Sequence, residues 1–133
     1  MRSITWMEEG LVSLVKEGRN GKAEIDAMMK GFRSQPPREL AGERVVEIRD
    51  FAQGVRMDVD GHELGALSQA RSNVMQFLTA EGSRVTVRPS GTEPKIKCYA
   101  SVSQPWDGTS DHAKLMDLLQ QRVDAHFRAL GVN

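Results

Sequence analysis

Two alternating stretches lie close together in this chain, and their spacing constrains the fold more than any other feature. In 84–88, Val85 and Val87 alternate with Arg84, Thr86 and Arg88. In 95–102, Ile96, Cys98, Ala100 and Val102 alternate with Lys95, Lys97, Tyr99 and Ser101. A period of two is the signature of a half-buried strand. The connector Pro89-Ser90-Gly91-Thr92-Glu93-Pro94 is made of turn-forming residues and is short. The two strands are therefore expected to be neighbours in one sheet, with the connector held at their end. If the apolar positions face the core, Arg88 and Lys97 both project the other way and converge beside the connector.

That connector carries anion-binding chemistry. Arg88 offers a planar fork of donors suited to phosphate. Ser90 and Thr92 offer hydroxyls. Gly91 permits positive φ and close approach of the backbone to a ligand, and successive N–H groups in such a turn can form a nest for an anion. Lys97 adds a second positive charge.

The remaining pattern supplies the frame. Ile25, Met28, Met29 and Phe32 recur at helical spacing and predict a helix over roughly 22–33, stopped by Pro36-Pro37. Val45, Val46 and Ile48 suggest a strand ending near Phe51. Residues 52–71 read as a long loop or a weak hairpin turning at Asp60-Gly61. Strand character returns at Val74–Leu78, and Glu81-Gly82 marks a turn. Leu115, Leu118, Leu119, Val123, Phe127 and Leu130 form the stripe of a C-terminal helix, capped by Ser110 or Asp111 and ended by Gly131. Residues 1–20 are read as a linker or edge segment, with a short strand over Leu11–Lys16, and 21–133 as one domain. The order helix, strands, helix predicts an α+β domain: an antiparallel four-stranded sheet with helices packed on one face.

Composition narrows the function. There are 18 basic and 18 acidic residues, so the chain has no bulk charge to draw it to nucleic acid or an anionic membrane, and any anion site must be local. One cysteine allows no internal disulfide. No apolar run reaches membrane-spanning length, and the start of the chain lacks a signal-peptide core. Cytoplasmic location is expected.

The unbroken run Arg88-Pro89-Ser90-Gly91-Thr92-Glu93-Pro94-Lys95-Ile96-Lys97 resembles the phosphate-binding loop in the fourth, C-terminal domain of the α-D-phosphohexomutases, the phosphoglucomutase and phosphomannomutase enzymes. Looser resemblance extends over Leu11-Val12-Ser13-Leu14, Gln35 before Pro36-Pro37, and Ser72-Asn73-Val74. The resemblance implies a fold like that of the TATA-binding protein. It implies that Arg88, Ser90, Gly91, Thr92 and Lys97 grip the phosphate of a hexose phosphate, with Glu93 and Pro94 shaping the loop and Lys95 adding positive field. The parent enzyme it implies is an isomerase working with three further domains, Mg²⁺ and a hexose 1,6-bisphosphate. The nucleophilic serine loop, the metal-binding aspartate loop and the sugar-recognition loop of that family are not found in this sequence. This segment is therefore expected to be non-catalytic alone and to bind no cofactor.

Other features read more plainly. Asp58-Val59-Asp60-Gly61 has paired carboxylates but not the family's metal pattern, and reads as a solvated turn, so no metal site is assigned. His62, His112 and His126 lack partners at zinc spacing and read as surface or helix-side residues, with His126, beside the apolar stripe, expected to be partly buried. Cys98 alternates inward and reads as an inert core thiol. Arg33, Arg38, Arg44, Arg49, Arg56 and Arg71 read as solvated charges. The alternative function is a stand-alone module binding nucleic acid or protein on the open sheet. Balanced charge, and Tyr99 as the only aromatic beside Lys97, weigh against nucleic acid.

Overall fold

The structure, a computed structural model, describes residues 4–106 and 111–132. Eight strands form one antiparallel sheet: β1 (Ile4–Val15), β2 (Glu39–Leu40), β3 (Glu43–Asp50), β4 (Val55–Met57), β5 (Glu63–Ala66), β6 (Met75–Thr79), β7 (Arg84–Pro89) and β8 (Lys95–Trp106). Their order is β1-β8-β7-β6-β3-β4-β5, with β2 paired to β3 off that path. Two helices, α1 (Gly21–Ser34) and α2 (His112–Leu130), complete the α+β domain.

Four strands were expected and eight are present. The largest difference is β1. The expected short strand over Leu11–Lys16 is part of a twelve-residue edge strand paired along its whole length with β8, from Ile4 opposite Trp106 to Val15 opposite Lys95. The 52–71 segment contains a real hairpin, β4–β5, whose turn includes Asp60-Gly61. The two-residue β2 completes the count.

One core lies between the helices and a single face of the sheet. Val85 and Val87 of β7, Ile96, Cys98, Ala100 and Val102 of β8, and Met75 and Phe77 of β6 are all buried. They meet Ile25 and Met29 of α1 and Leu115, Leu119, Val123, Phe127 and Leu130 of α2. Each large apolar side chain sealed this way contributes roughly 1.5–3 kcal/mol. Asp111 caps α2 by accepting the N–H groups of Ala113 (2.9 Å) and Lys114 (3.4 Å). Ser110, the other expected cap, lies outside the described residues. Gly131, with φ of 77°, closes the helix.

A polar network ties α2 to the sheet across this core. Glu43 accepts from Thr79 Oγ1 at 2.8 Å and Ser83 Oγ at 2.6 Å through Oε1. Its Oε2 meets His126 Nε2 at 2.9 Å and Arg122 Nη2 at 3.4 Å. His126 is fully buried, further than the partial burial expected from its place beside the apolar stripe. It sits three residues after Val123 and seven after Leu119, inside the apolar stripe, and only its bond to Glu43 makes that burial tolerable.

Candidate functional site

The paired strands β7 and β8 place Arg88 directly opposite Lys97. Because Val87, Ile96 and Cys98 are buried, both cations stand exposed on the opposite face of the sheet, as the alternation predicts. Like charges facing each other across two strands are unfavourable. Among the described residues, neither Arg88 nor Lys97 has an ion pair or a side-chain hydrogen bond. Seven other basic side chains, Arg33, Arg38, Arg49, Arg56, His62, Arg122 and His126, each have an acidic partner within 3.4 Å.

The connector closes above them. Ser90 N donates to Lys95 O at 2.8 Å, and Lys95 N donates to Glu93 O at 2.8 Å. Ser90 Oγ accepts from Glu93 N at 3.1 Å and from Thr92 N at 3.4 Å. With its lone pairs turned to these groups, the Ser90 hydroxyl keeps its proton to donate outward. The resulting recess has a volume of about 300 Å³ and is lined by Arg88, Pro89, Ser90, Gly91, Glu93, Lys95 and Lys97. Four of the five residues expected to grip phosphate therefore line one recess, and Thr92 is the one outside its lining. Lys95 shares the face of Lys97 and adds a third cation. Gly91 has no positive φ, and a Cβ there would meet nothing within 4 Å. Chain geometry does not demand glycine at 91, which leaves room for close approach of a ligand.

The loop is braced from behind by the start of α1, which the sequence reading did not anticipate. Lys16 N donates to Pro94 O at 2.8 Å, and Lys22 Nζ reaches Gly91 O at 3.4 Å. Gly21 is buried between them: a Cβ there would collide with Lys16 O and lie 2.9 Å from Pro94 Cβ. The Gly18 to Lys22 stretch, with two glycines and a lysine before a helix, was the available signal.

The other candidate residues lie elsewhere. Asp58, Asp60 and His62 bring ligand atoms within 4.8 Å of one another. Asp58 Oδ1 accepts the N–H groups of Asp60 and His62, both at 2.9 Å, its Oδ2 lies 3.1 Å from His62 Nδ1, and Asp60 pairs with Arg38 at 2.8 Å. The His62 N–H is the first cause holding the Asp58 carboxyl below its ordinary value. These bonds build a hairpin turn. Cys98 is buried, and desolvation pushes its thiol up to about 12. His112 meets the Trp6 ring edge-on, with centroids 4.5 Å apart.

Three of the arginines are not the solvated charges expected. Arg33 reaches the buried Asp50 at 3.3 Å and Asn73 at 2.6 Å. Arg49 and Arg56 share the half-buried Glu47.

The family described as phosphoglucomutase/phosphomannomutase, C-terminal domain, matches residues 14–124. A phosphoglucomutase of Staphylococcus epidermidis is 36% identical over 129 residues, covering 96% of this chain and 22% of that protein. A phosphoglucomutase of Staphylococcus aureus is 41% identical over 98 residues, covering 74% of this chain and 18% of its own length. The chain thus spans about a fifth of the length of these curated relatives. A solved structure of parafusin, a phosphoglucomutase from Paramecium in its open form, aligns over 98% of this chain and 22% of its own. Its identity is 16% and its TM-score 0.34. On the family match, which runs through both strands of the loop, this chain belongs to the phosphoglucomutase/phosphomannomutase C-terminal domain family.

Proposed function

We propose that this chain is the phosphate-holding domain of a phosphohexomutase that interconverts hexose 1-phosphate and hexose 6-phosphate. The observation that carries this reading is the cross-strand pair Arg88–Lys97, two exposed cations with no partner among the described residues, facing a recess closed by the Ser90–Lys95 connector. A dianion between them turns a repulsion into two charge-assisted contacts. The Ser90 hydroxyl and the Gly91 N–H complete the grip, and Thr92 serves at the mouth of the loop.

In the parent reaction a serine-bound phosphoryl group passes to the free hydroxyl of the sugar phosphate, giving the 1,6-bisphosphate. After the sugar reorients, its other phosphoryl group returns to the serine. The serine, Mg²⁺ and sugar-selecting groups belong to the other domains, and this chain alone has no mutase activity. Its task is to hold the phosphate that is not reacting, at either end of the sugar. Binding energy gathered there positions the distant reacting centre, and closure of the domain over the cleft limits water access.

Charge-assisted hydrogen bonds contribute about 1.5–3 kcal/mol each, offset by several kcal/mol of association entropy and desolvation. The isolated chain should therefore bind sugar phosphates with a Kd of roughly 1 mM. Titrating the isotopically labelled chain with glucose 1-phosphate, glucose 6-phosphate, glucose and a short RNA tests this. Both phosphates should shift the amides of 88–97 while glucose does not. Silence with both phosphates, or a broad response to RNA across the sheet, refutes the assignment.

A further inference from the structure

The face of the sheet that bears Arg88 and Lys97 continues beyond the phosphate recess. Two residues along β8 from Lys97, on the same face, stands Tyr99, 38% exposed. It pairs with Thr86 of β7 on one side and Leu11 of β1 on the other, and Thr86 pairs in turn with Gln76 of β6. This row lies roughly 6.7 Å from the Arg88–Lys97 row, two residues of strand rise. It lines a trough of about 550 Å³ whose walls include Glu9, Leu11, Gln76, Arg84, Thr86, Tyr99 and Ser101.

We propose that Tyr99 is a stacking platform for the pyranose ring of the sugar phosphate whose phosphate is held by Arg88 and Lys97. The proposal rests on the phosphate-site reading above and extends it from the anion to the sugar. The chemistry of the trough fits a sugar on three counts. An aromatic face attracts the partly positive C–H edge of a pyranose. Thr86, Gln76 and Ser101 supply short polar groups able to exchange hydrogen bonds with ring hydroxyls. The row spacing puts the platform one ring away from the cation pair, so one ligand can reach both.

Stacking also suits a site that must accept the sugar in two orientations. A rigid set of hydrogen-bonding groups recognises one hydroxyl pattern, whereas an aromatic face is indifferent to which carbon carries the phosphate. Arg88 and Lys97 would supply most of the affinity, and Tyr99 the margin by which a hexose phosphate is preferred to a bare phosphate.

The test compares inorganic phosphate, glucose 1-phosphate and glucose 6-phosphate binding to the wild-type chain, Tyr99→Ala and Tyr99→Phe by amide shift titration. Tyr99 lies on the uncovered face and has no hydrogen bond among the described residues, so both variants should keep the wild-type spectrum outside the site. The wild type should bind the two hexose phosphates roughly three- to tenfold more tightly than inorganic phosphate. Tyr99→Ala should erase that margin and leave the affinity for inorganic phosphate unchanged. Tyr99→Phe should retain it, because stacking needs the ring and not the hydroxyl. Unchanged hexose phosphate affinity in Tyr99→Ala overturns the platform while leaving the phosphate site intact. No binding of inorganic phosphate by the wild type overturns both.

Discussion

Glu43 is the residue whose loss should cost this domain most for a single polar side chain. Glu43→Ala removes the acceptor for Thr79, Ser83, Arg122 and His126 together. Arg122 is half-buried and keeps Ser103 O at 2.8 Å, so its loss is partial. The two hydroxyls lose net contributions of about 1 kcal/mol each. His126 fares worst. Its Nδ1 already has no partner, and without Glu43 a fully buried imidazole would be unsatisfied at both nitrogens. A buried group stranded this way costs about 1–3 kcal/mol, bringing the total to roughly 3–5 kcal/mol, the range for breaking a buried charge network. That is a large share of the roughly 5–15 kcal/mol that stabilises a domain. Glu43→Gln keeps one oxygen for the hydroxyls and should fall between.

Urea unfolding followed by circular dichroism measures this directly, as a fall in midpoint at constant slope. The pH dependence has a defined sign. Burial alone would raise the Glu43 pKa, but hydrogen bonds from Ser83 and Thr79 and the charges of His126 and Arg122 hold it below the ordinary 4.5. A depressed carboxyl stabilises the fold above its unfolded value, and that contribution is lost as pH falls through the lower folded value. The gap between wild type and Glu43→Gln should thus be widest near neutrality and narrow below pH 4.5. A loss under about 1 kcal/mol for Glu43→Ala at neutral pH would refute the reasoning, since it would mean the network is not satisfied as drawn.

Two further outcomes follow from single contacts. Gly21→Ala places a methyl against Lys16 O and Pro94, so it should loosen the Ser90–Lys95 connector from behind; faster hydrogen exchange at the Lys16 amide, which donates to Pro94 O, is the readout. Cys98, buried and with its thiol pushed up to about 12, should react with thiol reagents only as fast as the domain opens, so labelling should accelerate with urea, and rapid labelling of the native chain would contradict its placement.

The Arg88–Lys97 loop was legible because its chemistry is contiguous. Ten consecutive residues hold the donors, the turn and the alternation that sends Arg88 and Lys97 to one face. Both helices were legible because their stripes are regular and their ends carry Pro36-Pro37 and Gly131. The strand β1 was not. Its two faces are both partly apolar, with Trp6, Val12 and Leu14 turned to the core and Met7, Leu11 and Val15 left exposed, so period-two alternation is lost. Only its pairing with β8 reveals it. The strands β4 (Val55–Met57) and β5 (Glu63–Ala66) are too short for two or three apolar positions, interrupted by Arg56, Glu63 and Gly65, to show a period. The Glu43 network was hidden for another reason. Glu43 and His126 lie 83 residues apart, and nothing local announces their contact. The position of His126 within the stripe of α2 was the available clue.

The central claim is that Arg88 and Lys97 face each other to hold an anion. The most direct test measures the stability of the wild type and Arg88→Gln in chloride and in phosphate buffer at equal ionic strength. In chloride, relieving a cross-strand repulsion should leave the variant as stable as the wild type or more so, by about 0.2–1 kcal/mol. In phosphate at tenfold the Kd, the wild type should gain about 1.4 kcal/mol and the variant almost none. A variant that is less stable in chloride and still gains from phosphate would contradict the account.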